Sequence, residues 1–119
     1  MEFLVHMEVS PIPEGPEAEV KLRERESIRA RELADMGILH RLWRVPGKRE
    51  NWGIWRAKDT DALREALGSL PMFSYLVITV HPLASHPNDP KVVGGLETDS
   101  VRESDDISIN VQLSSRRIR

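Results

Sequence analysis

The 119-residue chain contains no cysteine, which removes disulfides, thiolate metal sites and cysteine nucleophiles together. That absence fits a reducing compartment. No apolar run approaches the ~20 residues that a membrane-spanning helix needs. The opening stretch from Met1 to Val9 is too short and too regularly alternating for a secretory signal. A cytoplasmic location with no membrane partner is expected. Neither charge dominates: the formal net charge is -2 and charged residues of both signs are mixed along the chain, so nothing argues for nucleic acid. There is no glycine-rich phosphate loop, because Gly94-Gly95 lacks the lysine and the helix that must follow. The histidines His6, His40, His81 and His86 form neither HxH nor HExxH, and no GxSxG elbow is present. No metal and no cofactor is expected.

The length suits one domain, and no solenoid-period repeat appears. From Glu2 to Val9 the residues alternate, with Phe3, Val5, Met7 and Val9 on one face, which is the period of a strand. Ser10 to Pro16 reads as a loop. Glu17 to Met36 has neither Gly nor Pro and is rich in Glu, Arg, Ala and Leu, so it is expected to be a helix, with Gly37 as its stop. Ile38–Val45 and Asn51–Ala57 read as strands joined through Pro46-Gly47 into an antiparallel hairpin. Asp59 or Thr60 caps a second helix that ends near Gly68. Ser74 to His81 is the most β-branched stretch and reads as a fourth strand.

This order is β-α-β-β-α-β, an α+β domain of the ferredoxin-like plan over residues 1–88. Phe3, Val5, Met7, Leu76, Ile78 and Val80 are expected to supply apolar side chains on both sides of the sheet. Its open face should then be covered by another copy, giving a homo-oligomer. Residues 89–119 turn polar and form a C-terminal extension. Within it Ile107–Leu113 alternates as a possible late strand, and the basic ending from Arg116 to Arg119 reads as a solvated tail.

Glu26 is the candidate that carries chemistry. At 100° per residue, Leu22, Glu26, Ala30 and Leu33 share one stripe of the first helix. A carboxylate on an apolar stripe must be paired or must shift its pKa. It is then either a general base or acid tuned toward neutrality, or a structural ion-pair member. His40 and Arg44, four residues apart on the second strand, should share a face with Leu42 between them. Arg44 suits Glu26 or an anionic substrate, since its fork gives two parallel hydrogen bonds. The three tryptophans Trp43, Trp52 and Trp55 all fall in the hairpin. Trp52 and Trp55 face opposite sides, so one is free to line a ligand cavity and another to pack at a subunit contact.

Several segments carry a wider resemblance. Arg41-Leu42-Trp43-Arg44, then Gly47 and Asn51, then Leu70-Pro71-Met72-Phe73-Ser74-Tyr75, then Pro82 through Pro87 resemble the muconolactone delta-isomerase family. The likeness runs from Met1 to about Asn88 and includes a glutamate at the position of Glu26. It implies a cofactor-free isomerase of aromatic catabolism, in the β-ketoadipate pathway, that moves a proton within an unsaturated lactone. It also implies a dimeric α+β barrel, often assembled further, as in decamers. The residues it singles out are Glu26 and His40 for catalysis, and Arg44, Trp43, Asn51, Phe73 and Tyr75 for the lactone or enol substrate. Two rival readings stand beside it: a paralogue acting as isomerase or cyclase on a different enol, lactone or polyketide-like intermediate, and a non-catalytic ligand-binding or assembly protein.

Overall fold

A computed structural model describes residues 1–91 and the backbone of Arg117 and Ile118. The elements in chain order are β1 (Glu2–Val9), α1 (Pro16–Asp35), β2 (Leu39–Arg44), β3 (Glu50–Arg56), α2 (Thr60–Gly68), a short 3-10 turn (Phe73–Tyr75), β4 (Leu76–Leu83) and β5 (Arg117–Ile118). One sheet has the order β2-β3-β1-β4-β5 with antiparallel pairing throughout. The first four strands reproduce the order expected of a split βαβ plan.

Local chemistry explains the boundaries. Pro16 opens α1, where its missing N–H costs nothing. At the other end Gly37 has φ +79°. Its N–H bonds to Ala34 O at 2.9 Å and the Ile38 N–H to Leu33 O at 2.9 Å, which completes a Schellman stop. The β2–β3 hairpin closes through Pro46 and Gly47, with Gly47 at φ +76° and Lys48 N–H bonded to Val45 O at 3.2 Å. Pro then Gly at the two central positions suits a type II turn. Asp59 caps α2 by accepting from the Ala62 N–H at 2.8 Å.

The core lies between the sheet and the helices. Phe3, Val5, Met7, Trp55, Leu76, Ile78 and Val80 from the sheet meet Leu22 and Leu33 of α1 and Leu63, Ala66 and Leu67 of α2. Phe3, Val5, Met7, Leu76, Ile78 and Val80 thus all serve one side of the sheet, not both as expected. The reason is the register: Val5 sits opposite Val80 and Met7 opposite Ile78, and paired residues share a face. The other side carries Leu4, His6, Trp52, Ile54, Thr79 and His81, all partly exposed.

Three expectations changed. The fourth strand begins at Leu76 rather than Ser74, because Phe73–Tyr75 coil into the 3-10 turn. The second strand is not regular: Leu39 pairs with Trp55 but Arg41 with Ile54, so a bulge falls at His40. The basic ending is not simply a tail, since Arg117 pairs with Thr79 and Ile118 with Ile78 along β4. The possible late strand at 107–113 lies outside the described residues.

Candidate active site

A cavity of about 720 Å³ opens between α1, the β2–β3 hairpin and the Leu70–Leu76 segment. Glu26 enters it from the middle of α1, flanked on its stripe by the buried Leu22 and Leu33. Its Oε1 accepts a 2.9 Å hydrogen bond from the Met72 backbone N–H. Burial pushes the Glu26 carboxyl above its ordinary value, while the Met72 N–H and the charge of Arg23 pull the other way. A half-buried carboxylate raised and held this way is a candidate for proton transfer.

Opposite charge surrounds it. Arg23, Arg44, Lys48 and Arg49 also line the cavity. Two of them are already engaged. Arg49 grips Glu19 with both terminal nitrogens, at 3.1 and 3.2 Å, and Arg23 Nε reaches the same carboxylate at 2.8 Å. These cations hold the Glu19 carboxyl below its ordinary value, Arg49 more strongly than Arg23. Arg44 and Lys48 have no side-chain partner among the described residues, so their charge is available to an anion. Arg44 is not paired with Glu26, although the sequence allowed that pairing.

The floor is β3. Asn51 and Trp55 point the same way along the strand, with Gly53 between them. Among the described residues, Asn51 Oδ1 and Trp55 Nε1 are buried polar atoms without a hydrogen-bond partner. Buried polar groups are nearly always satisfied, so two open ones on the wall of one cavity mark where a ligand's polar atoms belong. Trp43 and Leu42, both about half exposed, border the cavity from the edge strand β2.

Of the residues singled out from the sequence, Glu26, Trp43, Arg44 and Asn51 come together here. His40, Phe73 and Tyr75 are not among the lining residues. The bulge takes His40 out of alternation with Arg44 and leaves it exposed. Phe73 packs against the core. The Tyr75 hydroxyl bonds to Glu14 at 3.2 Å, and that carboxylate raises the phenol's pKa. Arg23, Lys48 and Arg49 were not anticipated as cavity residues, and of the two tryptophans of β3 it is Trp55 that lines the cavity. Arg23 lies three residues before Glu26 on α1, and that spacing was the signal available for it.

The sequence profile of muconolactone delta-isomerase matches residues 1–89. The chain belongs to the muconolactone delta-isomerase family. The Muconolactone Delta-isomerase of Cupriavidus pinatubonensis is 36% identical over 89 residues, which cover 74% of this chain and 97% of that protein. That of Rhodococcus opacus is 32% identical over 90 residues, covering 75% of this chain and 97% of the relative. A crystal structure of muconolactone isomerase superposes with a TM-score of 0.71 at 31% identity, covering 78% of this chain and 98% of that one. The family is one of intramolecular isomerases, and the fold is that of the family. The match stops where the polar extension begins.

Proposed function

We propose that this protein is a cofactor-free isomerase that shifts a proton within an unsaturated lactone bearing a carboxylate, muconolactone first. The observation that carries the reading is Glu26: a half-buried carboxylate of raised pKa, fixed by the Met72 N–H, in a cavity with unpaired cations. Ionised Glu26 takes the allylic proton. The C–H bond breaks, and its electron pair moves through the conjugated system onto the lactone carbonyl oxygen, giving a dienolate. The carboxylic acid so formed returns the proton at the far end of the allylic system. No electron is gained or lost, so a positioned base and charge stabilisation suffice. Arg44 and Lys48 hold the substrate carboxylate. Asn51 and Trp43 fit beside the ring.

The relatives' names support muconolactone as substrate, and the absence of any redox or hydrolytic demand in this chemistry supports a reaction without cofactor. A second copy of the chain is proposed to cover the open side of the sheet, where Leu4, His6, Trp52, Ile54 and His81 lie partly exposed. The test is turnover of muconolactone followed by ultraviolet absorbance, with chelator present and absent. Turnover unaffected by chelator is expected. No conversion, or conversion that a chelator abolishes and a divalent ion restores, overturns the reading.

A further inference from the structure

Trp55 has an unusual position for a core residue. It is only 2% exposed, yet its indole nitrogen has no acceptor among the described residues. An indole N–H can only donate. A buried donor without a partner carries the desolvation cost of its N–H, which an arriving acceptor would offset. The same side chain lines the cavity that holds Glu26.

Gly53 explains how the indole takes this position. A Cβ at residue 53 would lie 3.0 Å from Trp55 Nε1, 2.9 Å from Arg41 O and 3.1 Å from Leu42 Cδ1. The indole nitrogen therefore leans back along β3, over the space that a side chain at 53 would fill, and toward Asn51. Leu42 crowds the same spot from the edge strand and is 50% exposed, so it is the side chain that a substrate must displace to reach the N–H. The bulge at His40 belongs to this arrangement, because it sets where the Arg41 carbonyl and Leu42 fall against Gly53.

We propose that the Trp55 indole N–H is the hydrogen-bond donor to the lactone carbonyl oxygen as it becomes the dienolate oxyanion, with Gly53 keeping open the space it needs. The assignment rests on the isomerase reading and adds to it the group that receives the developing charge. When Glu26 removes the proton, negative charge collects on the carbonyl oxygen. Once Leu42 has been displaced, a donor that is already desolvated and fixed by the core stabilises that charge without itself moving. Arg44 and Lys48 then remain free for the carboxylate at the substrate's other end.

Two experiments on the full chain test this. Trp55→Phe keeps an aromatic ring and removes the donor; kcat for muconolactone should fall about a hundredfold with KM little changed, the loss expected for an oxyanion donor. The second uses the unaltered protein labelled with ¹⁵N in its three tryptophans. A saturated lactone acetate, which lacks the allylic proton, is titrated in. The Trp55 indole proton should move downfield as it gains an acceptor, while that of Trp52 on the far side of the sheet stays put. Full activity in Trp55→Phe, or an unmoved Trp55 indole with the saturated lactone bound, overturns the assignment alone if Glu26→Gln is inactive. A wild-type protein that does not convert muconolactone overturns the isomerase reading and the assignment together. Should Trp55→Phe fail to fold, the labelled protein decides.

Discussion

Met72 and Glu26 are joined by a single hydrogen bond of 2.9 Å, from the Met72 backbone N–H to Glu26 Oε1. It ties the middle of α1 to the chain just after α2, across 46 positions of sequence. The bond fixes the carboxylate's direction and leaves its other oxygen for the cavity. It also limits how far burial can raise the pKa, since a donor to the carboxylate favours the charged form. The two influences oppose each other, and burial is the larger.

Replacing Glu26 by Gln keeps shape and an acceptor for Met72 but removes the proton-accepting carboxylate. Turnover of muconolactone should fall at least about a hundredfold. Stability should hold or rise at pH 7. Burial lifts the Glu26 pKa above 4.5, so its stabilising contribution is complete below about 4.5 and is lost as pH rises through the raised value. The melting-temperature advantage of Glu26→Gln should accordingly be absent near pH 4 and grow toward pH 7. Wild-type turnover should decline as pH falls through that same raised value. A fully active Glu26→Gln protein would remove Glu26 from the mechanism.

Arg44→Gln should act on binding. Loss of one charge-assisted contact to the substrate carboxylate is worth about 1.5–3 kcal/mol, so KM should rise tenfold to a hundredfold with a smaller change in kcat. Steady-state kinetics against muconolactone gives both numbers. An unchanged KM would place the substrate carboxylate elsewhere.

Glu19 offers a contrast in pH sign. Arg49 and Arg23 lower its pKa below 4.5, so the stability it adds is present above 4.5 and lost as pH falls through its lowered value. Glu19→Gln should therefore melt earlier than wild type at pH 7, and the gap should close in acid. Melting curves across pH 2–7 check this.

A chain ending at Asn88 should remain folded, because every core residue among those described precedes that point. Its far-ultraviolet circular dichroism should match the full chain's helical signal. Amide exchange at Ile78 and Thr79 should quicken, since β5 pairs with these residues. Light scattering on the full chain at micromolar concentration should give a multiple of the single-chain mass; a monomer alone would leave the open side of the sheet facing water.

Much of this architecture is legible in local pattern. The alternation of Phe3, Val5 and Met7 names a buried strand face, and Gly37 marks a helix end at a position that needs positive φ. Glu26 is legible for the same reason, because helical period alone places it among Leu22, Ala30 and Leu33. What escapes the sequence depends on partners distant in the chain. The bulge at His40 arises from how Leu39 and Arg41 meet Trp55 and Ile54, which no pattern within β2 encodes. Regular alternation would put His40 beside Arg44, and the bulge separates them. Trp55 reads equally as core or cavity wall, and only the unsatisfied nitrogen over Gly53 tells the two apart.

β5 has a consequence for how copies of this chain can join. A β-sheet grows by adding strands to bare edges, and a molecule with two bare edges can polymerise without end. Here β5 occupies β4 at Ile78 and Thr79, while β2 stays uncovered at the opposite end of the sheet. β5 is itself an edge, so the sheet keeps two of them, the short β5 on one side and β2, made irregular by the bulge at His40, on the other; short and bulged edges are poor templates for strand addition, so copies of this chain resist joining edge to edge.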